Sequence, residues 1–414
     1  MSRLARSIVW LAAASLAAGL GGRPACAQAT LRLLPGPAVG AGQHIYVAGS
    51  FNEWNPAAPG FALLPQPDGS YQLTLPASVR GPQEFKLTRG SWQTGEADAS
   101  FQARPNRRAD FGAGPATLTL QVAAWQDQRP GGSVPVPSKP HTAAPNVRIL
   151  ADSFRLPQLG GRLRRIWLYL PPGYATSRRR YPVLYLHDGQ NIFDDATAYA
   201  GEWAVDKTLN QLSASGQDPA GCVVVAIDNG GERRLDEYSP WVNERLKKGG
   251  EGSQYVEFLV RTLKPYIDQH YRTLPGPAHT GILGSSMGGL ISLYAGVKYP
   301  AVFGRVGVFS PAFWFAKDSV LAFIRRQRPA PATSRFYFVA GPAEGPSMVP
   351  QMAEVRDALL ARGLRPSQML FKAPADGQHA EWFWQREFAA AYRWLFAAGL
   401  PATAVASPGA TSLA

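Results

Sequence analysis

The chain has 414 residues, of which 45% are hydrophobic and 17% carry a formal charge. This length accommodates two or three domains with large cores, and the composition is that of a globular rather than a disordered protein. The formal net charge is +13, but the basic residues are scattered in short runs, such as Arg178-Arg179-Arg180 and Lys247-Lys248, so no nucleic-acid partner is predicted.

The N-terminus has the pattern of a cleaved signal peptide over residues 1–29. Arg3 and Arg6 precede a short apolar stretch from Ile8 to Leu20, and residues 25–29 offer small-residue cleavage sites. The apolar part is too short for a comfortable membrane span, and the sequence contains no other candidate, so no stable membrane insertion is predicted. We therefore expect a periplasmic or secreted protein whose single remaining cysteine, Cys222, forms no disulfide.

Residues 30–125 are predicted to form a small all-β domain. The runs His44–Ala48 and Tyr71–Leu75 alternate as strands do, and Asp68-Gly69 between them is a turn signal. The stretches Ala48–Pro56 and Phe85–Trp92 resemble early-set, immunoglobulin-like β-sandwich domains related to glycan-binding modules. Exposed tryptophans stack on sugar rings, so Trp54 and Trp92 are candidates for polysaccharide binding by this domain. The alternative is that both are core or interface residues.

The pattern changes after this domain. Residues 126–147 are Pro-rich and predict a linker, whereas residues 399–414 are rich in Ala, Ser, Thr, Pro and Gly and predict a disordered tail. Between them, residues 148–398 alternate continuous apolar runs with helical periodicity, which predicts a doubly wound, mostly parallel sheet. The predicted strands begin near Arg165, Tyr181, Cys222, Arg305, Phe336 and Met369, and the predicted helices are Gln254–Tyr271, Met287–Lys298, Val349–Arg362 and Ala380–Phe396.

The motif Gly284-x-Ser286-x-Gly288 has the pattern of a nucleophile elbow. A short apolar run precedes it and an apolar helix pattern follows it, which is the strand–turn–helix context that the motif requires. Side chains flanking so sharp a turn would collide with neighbouring backbone, which explains the two glycines. Ser286 is thus the candidate nucleophile, and a structural Gly/Ser turn is the alternative.

A serine hydroxyl needs a base, and the base needs an orienting acid, in the chain order serine, acid, histidine. His379 is the only histidine after Ser286 and is the predicted base; a helix-capping role is the alternative. Glu344, directly after a predicted strand, is the predicted acid. Its competitors are Asp357, whose surroundings predict a helix interior, and Asp376, which is close to His379 in sequence.

Acyl chemistry also needs hydrogen-bond donors for the oxyanion. The amide that follows the nucleophile, that of Met287, is one predicted donor, and the amide of Gln190 is the other. Gly189 allows the backbone of that second loop to approach closely, and His187 is expected to fix the loop rather than act as the base. The sequence contains no metal-ligand motif, Walker loop or dinucleotide fingerprint, so no metal or cofactor is predicted.

At this point the sequence is identified as a member of the putative esterase family, which includes enterochelin esterases, feruloyl and acetylxylan esterases, esterase D and mycolyltransferases. The matching stretches are Leu186–Phe193, Trp203–Asp206, Arg234–Pro240, Gly284–Leu290, Ser310–Trp314 and Gly377–His379. The resemblance implies an α/β-hydrolase fold, with Ser286 as nucleophile, His379 as base and Glu344 at the position of the acid. It also implies a substrate pocket formed around Trp203, Arg234, Glu237, Tyr238 and Trp314.

The leading interpretation is an exported serine carboxylic-ester hydrolase that forms an acyl-enzyme. Feruloyl or acetyl esters linked to polysaccharide suit the glycan-module-like front domain, whereas siderophore trilactones suit the basic charge and the enterochelin-esterase resemblance. Acyl transfer to an alcohol instead of water is a further alternative. The alternative outside the enzymes is a glycan-binding protein without catalytic activity, in which the hydrolase region serves only as a scaffold.

Overall fold

The computed structural model describes residues 28–37, 39, 44–52, 54–112, 117–128, 139–218, 220–328 and 331–396. The predicted signal peptide lies outside this part of the chain except for its last two residues. Residues 129–138 of the predicted linker and the whole predicted tail lie outside it as well. Within the described ranges, every helix is too short or too polar to cross a membrane.

Among the described residues between 28 and 128, the regular elements are β-strands and short 3-10 turns. Seven strands form one hydrogen-bonded series in the order β7-β5-β2-β3-β4-β1-β8, and β6 pairs with β9. Leu31, Val47, Phe85 and Trp125 lie in the apolar core of this part. The assignment to immunoglobulin-like sandwiches stays a prediction. The strands are β1 (Thr30–Leu33), β2 (Ile45–Gly49), β3 (Ala62–Pro65), β4 (Tyr71–Thr74), β5 (Gly81–Thr88), β6 (Glu96–Ala97), β7 (Arg107–Phe111), β8 (Thr117–Leu120) and β9 (Ala124–Trp125).

The turn at Asp68-Gly69 is present, but it joins different strands from those expected. Asp68 Oδ1 accepts hydrogen bonds from the amide and hydroxyl of Ser70 at 3.0 and 2.6 Å, and Gly69 adopts a φ of 79°. Such a φ favours glycine. The strand β3 lies between the two predicted runs, so the turn connects β3 to β4 rather than the first run to the second.

The C-terminal part is built on an eight-stranded sheet in the order β10-β11-β13-β12-β16-β17-β18-β19. The first two strands run antiparallel to their neighbours and the remaining six run parallel to one another. This is the predicted doubly wound sheet. Its strands, with the separate pair β14 and β15, are β10 (Val147–Leu156), β11 (Arg162–Tyr169), β12 (Val183–His187), β13 (Val223–Ile227), β14 (Val242–Asn243), β15 (Lys248–Gly249), β16 (Thr280–Ser285), β17 (Arg305–Phe309), β18 (Arg335–Val339) and β19 (Met369–Lys372).

Helices cover both faces of this sheet. They are α1 (Val205–Ala214), α2 (Arg234–Glu237), α3 (Gly252–Phe258), α4 (Lys264–His270), α5 (Met287–Lys298), α6 (Lys317–Arg326), α7 (Met348–Ala361) and α8 (Glu381–Phe396). The predicted helix Gln254–Tyr271 is interrupted by a π-helical segment, Leu259–Leu263, between α3 and α4. Pro265 explains the interruption, because it lacks the N–H that would bond to the carbonyl four residues earlier.

Alternate side chains of the central strands enter two separate apolar cores. In β12, Val183 and Tyr185 pack on one face of the sheet, whereas Leu184 and Leu186 pack on the other. This burial on both faces explains why the parallel strands have continuous apolar sequences. Because parallel strands all end at the same edge, the loops after β12, β16, β17, β18 and β19 gather there.

Candidate active site

Ser286 occupies a sharp turn between β16 and α5. Its φ of 57° and ψ of −122° are a strained combination for a residue with a side chain. The end of the neighbouring strand β17 holds the turn on both sides: the Ser286 amide donates to the carbonyl of Phe309 at 3.0 Å, and the Ser286 carbonyl accepts from the amide of Ala312 at 3.0 Å. The half-buried serine therefore sits at the edge of the sheet where the loops gather.

The two glycines of the motif are required by close contacts within the turn. A Cβ atom added to Gly284 would lie 2.8 Å from the backbone of Gly288 and 2.9 Å from the ring of His187. A Cβ added to Gly288 would lie 3.3 Å from the Cβ of His187. The strand–turn–helix context predicted from the sequence is thus present, and the loop after β12 packs directly against it.

His379 lies beside Glu344. Its Nδ1 is 2.8 Å from Glu344 Oε2 and donates to that carboxylate oxygen. The other oxygen, Oε1, accepts from the amide of Gly341 at 2.7 Å and from the hydroxyl of Ser310 at 2.8 Å. The indole of Trp384 in turn donates to Ser310 Oγ at 2.8 Å. The Glu344 side chain has no exposed surface, so these bonds fix its orientation.

The two competing carboxylates point elsewhere. Asp357 lies in α7, as expected for a helix interior, and accepts from Arg356 at 2.8 Å. Asp376 is exposed and pairs with both terminal nitrogens of Arg386, whose hydrogen bonds lower its pKa below the ordinary value. Of the three candidates, only Glu344 contacts the imidazole of His379.

Contact between two glycines brings the loops of Glu344 and His379 together. A Cβ on Gly341 would lie 1.9 Å from the carbonyl oxygen of Gly377, and a Cβ on Gly377 would lie 2.7 Å from the Cα of Gly341. The backbones that follow β18 and β19 are therefore in direct contact. No larger residue could occupy either position without separating them.

The predicted oxyanion loop follows β12. Asp188 adopts a left-handed φ of 55°, and a Cβ on Gly189 would lie 2.8 Å from the amide nitrogen of Asp228. The predicted close approach of backbone at Gly189 is therefore present. In the described part of the chain, the amides of Gln190 and Met287 donate to no protein acceptor, so both remain available for a ligand.

A buried network supports this loop from below. The guanidinium of Arg234 donates to both carboxylate oxygens of Asp188, at 2.6 and 2.9 Å. Burial favours the neutral form of Asp188, but Arg234 outweighs it and holds the pKa of this carboxyl below its ordinary value. His187 Nδ1 lies 2.9 Å from the hydroxyl of Tyr255, and burial lowers the pKa of His187 to about 4. Near neutral pH His187 is therefore an uncharged support beneath the turn.

Three of the five predicted pocket residues have almost no exposed surface. Trp203, at 3% exposure, packs between Phe309 and Trp384, with ring centroids 5.5 and 5.7 Å apart. Glu237 is fully buried and its two oxygens accept from Arg164 at 2.7 and 2.8 Å. Tyr238 is fully buried and its hydroxyl accepts from the Asp188 amide. These three side chains support the site from behind, whereas Arg234 and Trp314 remain partly exposed.

Sequence reasoning missed the residues that hold the acid in place. Ser310 and Trp384 lie 34 and 74 residues from their respective partners, so no local pattern connects them. Ser310 does stand directly after a strand, at the same sheet edge as the serine and the acid. Its φ of 39° departs from ordinary values, but backbone strain cannot be read from the residue type.

A family model described as "Putative esterase" matches residues 158–395, more than half of the chain. The uncharacterized protein YbbA of Bacillus subtilis is 28% identical over 56% of this chain and 92% of its own length. An iron(III) salmochelin esterase of Escherichia coli is 24% identical over 74% of this chain and 70% of its own. An endo-1,4-beta-xylanase/feruloyl esterase of Xylanibacter ruminicola is 23% identical over 55% of this chain, which spans only 28% of that protein's length.

Proposed function

The chain belongs to the putative esterase family and is an esterase, and we propose on that basis that it is an exported serine carboxylic-ester hydrolase acting through an acyl-enzyme. One observation carries the proposal: Ser286, held in a strained turn, lies at the same sheet edge as the His379–Glu344 pair. This combination suits acyl chemistry, since it offers a nucleophile, a base and a buried orienting acid.

In the proposed first step, Ser286 Oγ attacks the ester carbonyl carbon and its proton passes to His379. Because Nδ1 of His379 is engaged by Glu344, Nε2 is the nitrogen left to accept that proton. The Glu344 carboxylate would stabilise the imidazolium that forms. The protonated imidazole then gives the proton to the departing alcohol, and the acyl group remains on Ser286.

The negative charge of the tetrahedral intermediate would be held by the amides of Gln190 and Met287. Both amides lack protein acceptors within the described residues, and Met287 opens α5, whose N-terminal end favours negative charge. In the second step, His379 would activate a water molecule that releases the acid. An acceptor alcohol in place of water would give acyl transfer, and product analysis with added alcohol distinguishes the two outcomes.

Two substrate classes follow from the relatives. The relative from Xylanibacter, an endo-1,4-beta-xylanase/feruloyl esterase, supports feruloyl esters of plant polysaccharide, the class that suits a glycan-binding front domain. The salmochelin esterase supports a siderophore ester. Its match covers 330 residues, which is longer than the family region and therefore extends beyond the hydrolase part. Parallel turnover assays on feruloylated arabinoxylan and ferric enterobactin separate the two classes.

The proposed location outside the cytoplasm depends on residues 1–29 alone. N-terminal sequencing of protein recovered from the periplasm or medium tests it: cleavage near residues 25–29 supports export, and an intact terminus in the cytoplasm contradicts it. Glycan binding by the front unit is tested with the full-length Ser286→Ala protein on insoluble polysaccharides. In the structure, Trp54 and Trp92 are half-buried and tilt against each other, with ring centroids 6.3 Å apart.

The central test compares Ser286→Ala with Ser367→Ala, an exposed serine elsewhere in the fold. Hydrolysis of 4-nitrophenyl butyrate and labelling by a fluorophosphonate probe should be lost in the first variant and retained in the second. Both variants should show the circular dichroism of the wild type. Undiminished hydrolysis by folded Ser286→Ala would remove the assignment. Failure of the wild-type protein to label would instead favour a non-catalytic binding protein.

A further inference from the structure

The N-terminal β unit contacts the loops that carry the proposed catalytic residues. Next to the acid, a Cβ on Gly345 would lie 3.4 Å from Ser50. Next to the base, the guanidinium of Arg108 hydrogen-bonds Gln378, the residue before His379. These contacts join strand β7 and the turn after β2 to the two loops that follow β18 and β19. The unit thus packs directly against the two loops that carry the proposed acid and base.

A third contact involves the segment that follows the oxyanion loop. The amide of Tyr199 donates to the side chain of Asn191 at 3.1 Å, and the Tyr199 hydroxyl accepts from Gln126 of the N-terminal unit at 3.2 Å. The ring of Tyr199 faces Lys86, whose Nζ lies 5.9 Å from the ring centroid. Tyr199 therefore contacts both the N-terminal unit and the loop that holds Gln190, and Lys86 lies beside its ring.

Lys86 is a buried cation that has no carboxylate within ion-pair distance among the residues that the structure describes. It comes from β5 and is only 9% exposed, yet its Nζ keeps contact with solvent and donates to no acceptor among the described residues. Burial lowers the pKa of Lys86, and the carboxylates of Glu381, Glu96 and Glu84 only partly oppose this effect. An ammonium that has lost most of its hydration gains more than an exposed one from a bound anion.

Glu381, in the hydrolase part, is close enough to Lys86 for the two charges to influence each other. It is the first residue of α8, two positions after His379, and it acts electrostatically on Lys86, His379 and Asp188. Its Cβ would lie 3.8 Å from a Cβ added to Gly201, at the end of the Tyr199 segment. Burial raises the pKa of Glu381 to about 7, although the charges of Lys86 and His379 act to lower it. The distance between Lys86 and Glu381 exceeds that of an ion pair, which leaves Lys86 available.

We propose that Lys86, supplied by the N-terminal unit, is a specificity-determining residue that binds a negatively charged group of the ester substrate, with Glu381 opposing that charge. The proposal rests on the esterase function proposed above. It names the class of substrate as esters carrying a carboxylate or phenolate in addition to the scissile bond. It also gives the N-terminal unit a role in substrate choice, independent of any binding to polysaccharide.

The test uses pairs of substrates that differ only in charge. Mono-4-nitrophenyl adipate and its methyl ester vary the acyl side, whereas 4-acetoxybenzoate and its methyl ester vary the alcohol side. The measured quantity is the ratio of kcat/KM for the anionic ester to that for its neutral partner. The full-length wild-type, Lys86→Met, Lys86→Arg and Glu381→Gln proteins are compared. Lys298→Met, which changes an exposed lysine at the far end of α5, is the matched control.

For at least one substrate pair, Lys86→Met should lower the ratio by roughly tenfold to a hundredfold, since a hydrogen bond to a charged group is lost. Most of this change should appear in KM. Lys86→Arg should restore much of the ratio, Glu381→Gln should raise it, and Lys298→Met should leave it unchanged. Equal ratios in the wild type and Lys86→Met for both pairs would overturn the proposal. Loss of all turnover in Ser286→Ala is a separate result, so a failed subsite and a failed esterase assignment are distinguishable.

Discussion

The contact between Gly341 and Gly377 permits a sharp test of how the base and the acid are held together. In Gly341→Ala, the new methyl group would begin 1.9 Å from the carbonyl oxygen of Gly377, whereas real Cβ contacts essentially never fall below 3.0 Å. The obstacle is backbone on both sides, so no flexible side chain can swing away. The loops that carry Glu344 and His379 must therefore separate by about 1 Å or more.

A separation of this size is enough to break the bond that orients the base. His379 Nδ1 and Glu344 Oε2 are 2.8 Å apart, and an added 1 Å takes them beyond hydrogen-bonding distance. Misplacement of a catalytic group by about 1 Å costs roughly a hundredfold in rate. We therefore expect kcat to fall about a hundredfold with little change in KM, since the substrate-binding surface is not altered. Overpacking should also cost about 1–3 kcal/mol of stability.

The assay is steady-state hydrolysis of 4-nitrophenyl butyrate, combined with thermal unfolding to establish that the variant is folded. Gly276→Ala is the matched control, because its added Cβ would meet no atom within 4 Å and its φ of −71° suits any residue. That variant should keep wild-type kcat. If Gly341→Ala folds and retains kcat within twofold, the loops tolerate separation and the hydrogen bond does not govern the rate.

Three further predictions test single contacts. Glu344→Gln should lower kcat by roughly 10²–10⁴-fold in the same assay, whereas Asp357→Asn should change it less than twofold. Trp384→Phe removes the donor to buried Ser310 and should cost about 1–3 kcal/mol in urea unfolding; an unchanged midpoint would contradict this. His187 has a pKa of about 6.5 in the unfolded chain, whereas burial lowers its pKa to about 4 in the folded protein. Lowering the pH from 6.5 to 4 should therefore decrease the free energy of unfolding, by up to about 3 kcal/mol from this group. The free energy of unfolding of His187→Gln should lack this part of the pH dependence. The same change of unfolding free energy with pH in His187→Gln and in the wild type would refute the prediction.

Elements with a strong local pattern could be predicted closely. The helix Met287–Lys298 has the predicted bounds and the strand β19 begins at Met369 as predicted, because a sharp turn or a change between apolar and polar sequence marks these positions. The order of serine, acid and histidine along the chain could also be predicted, since the fold imposes it. The juxtaposition of His379 with Glu344 agrees with that order, and their catalytic roles are the proposal that the variants test.

Contacts between distant parts of the chain could not be predicted in the same way. Glu237 was expected beside the substrate, but it lies fully buried against Arg164, 73 residues away. A carboxylate in a family motif looks the same in sequence whether it faces a ligand or an internal cation. Lys86 and Glu381 belong to different units, and only the packing of β5 against a loop of the hydrolase part brings their charges close enough to interact.

The pairing of basic side chains with carboxylates also determines whether the positive net charge can bind an anionic substrate. A formal charge of +13 says little about anion binding, because several basic side chains of the N-terminal unit and of the oxyanion loop's support already have carboxylate partners. The paired examples are Arg107 with Glu96 at 2.6 Å, Arg108 with Glu84 at 3.0 Å and Arg234 with Asp188 at 2.6 Å. Each of these cations is neutralised where it stands. Lys86 differs because, among the described residues, no carboxylate lies within ion-pair distance of it, although Glu381, Glu96 and Glu84 influence its charge. Local pairing therefore makes Lys86 the position from which the charge of a substrate can be sensed.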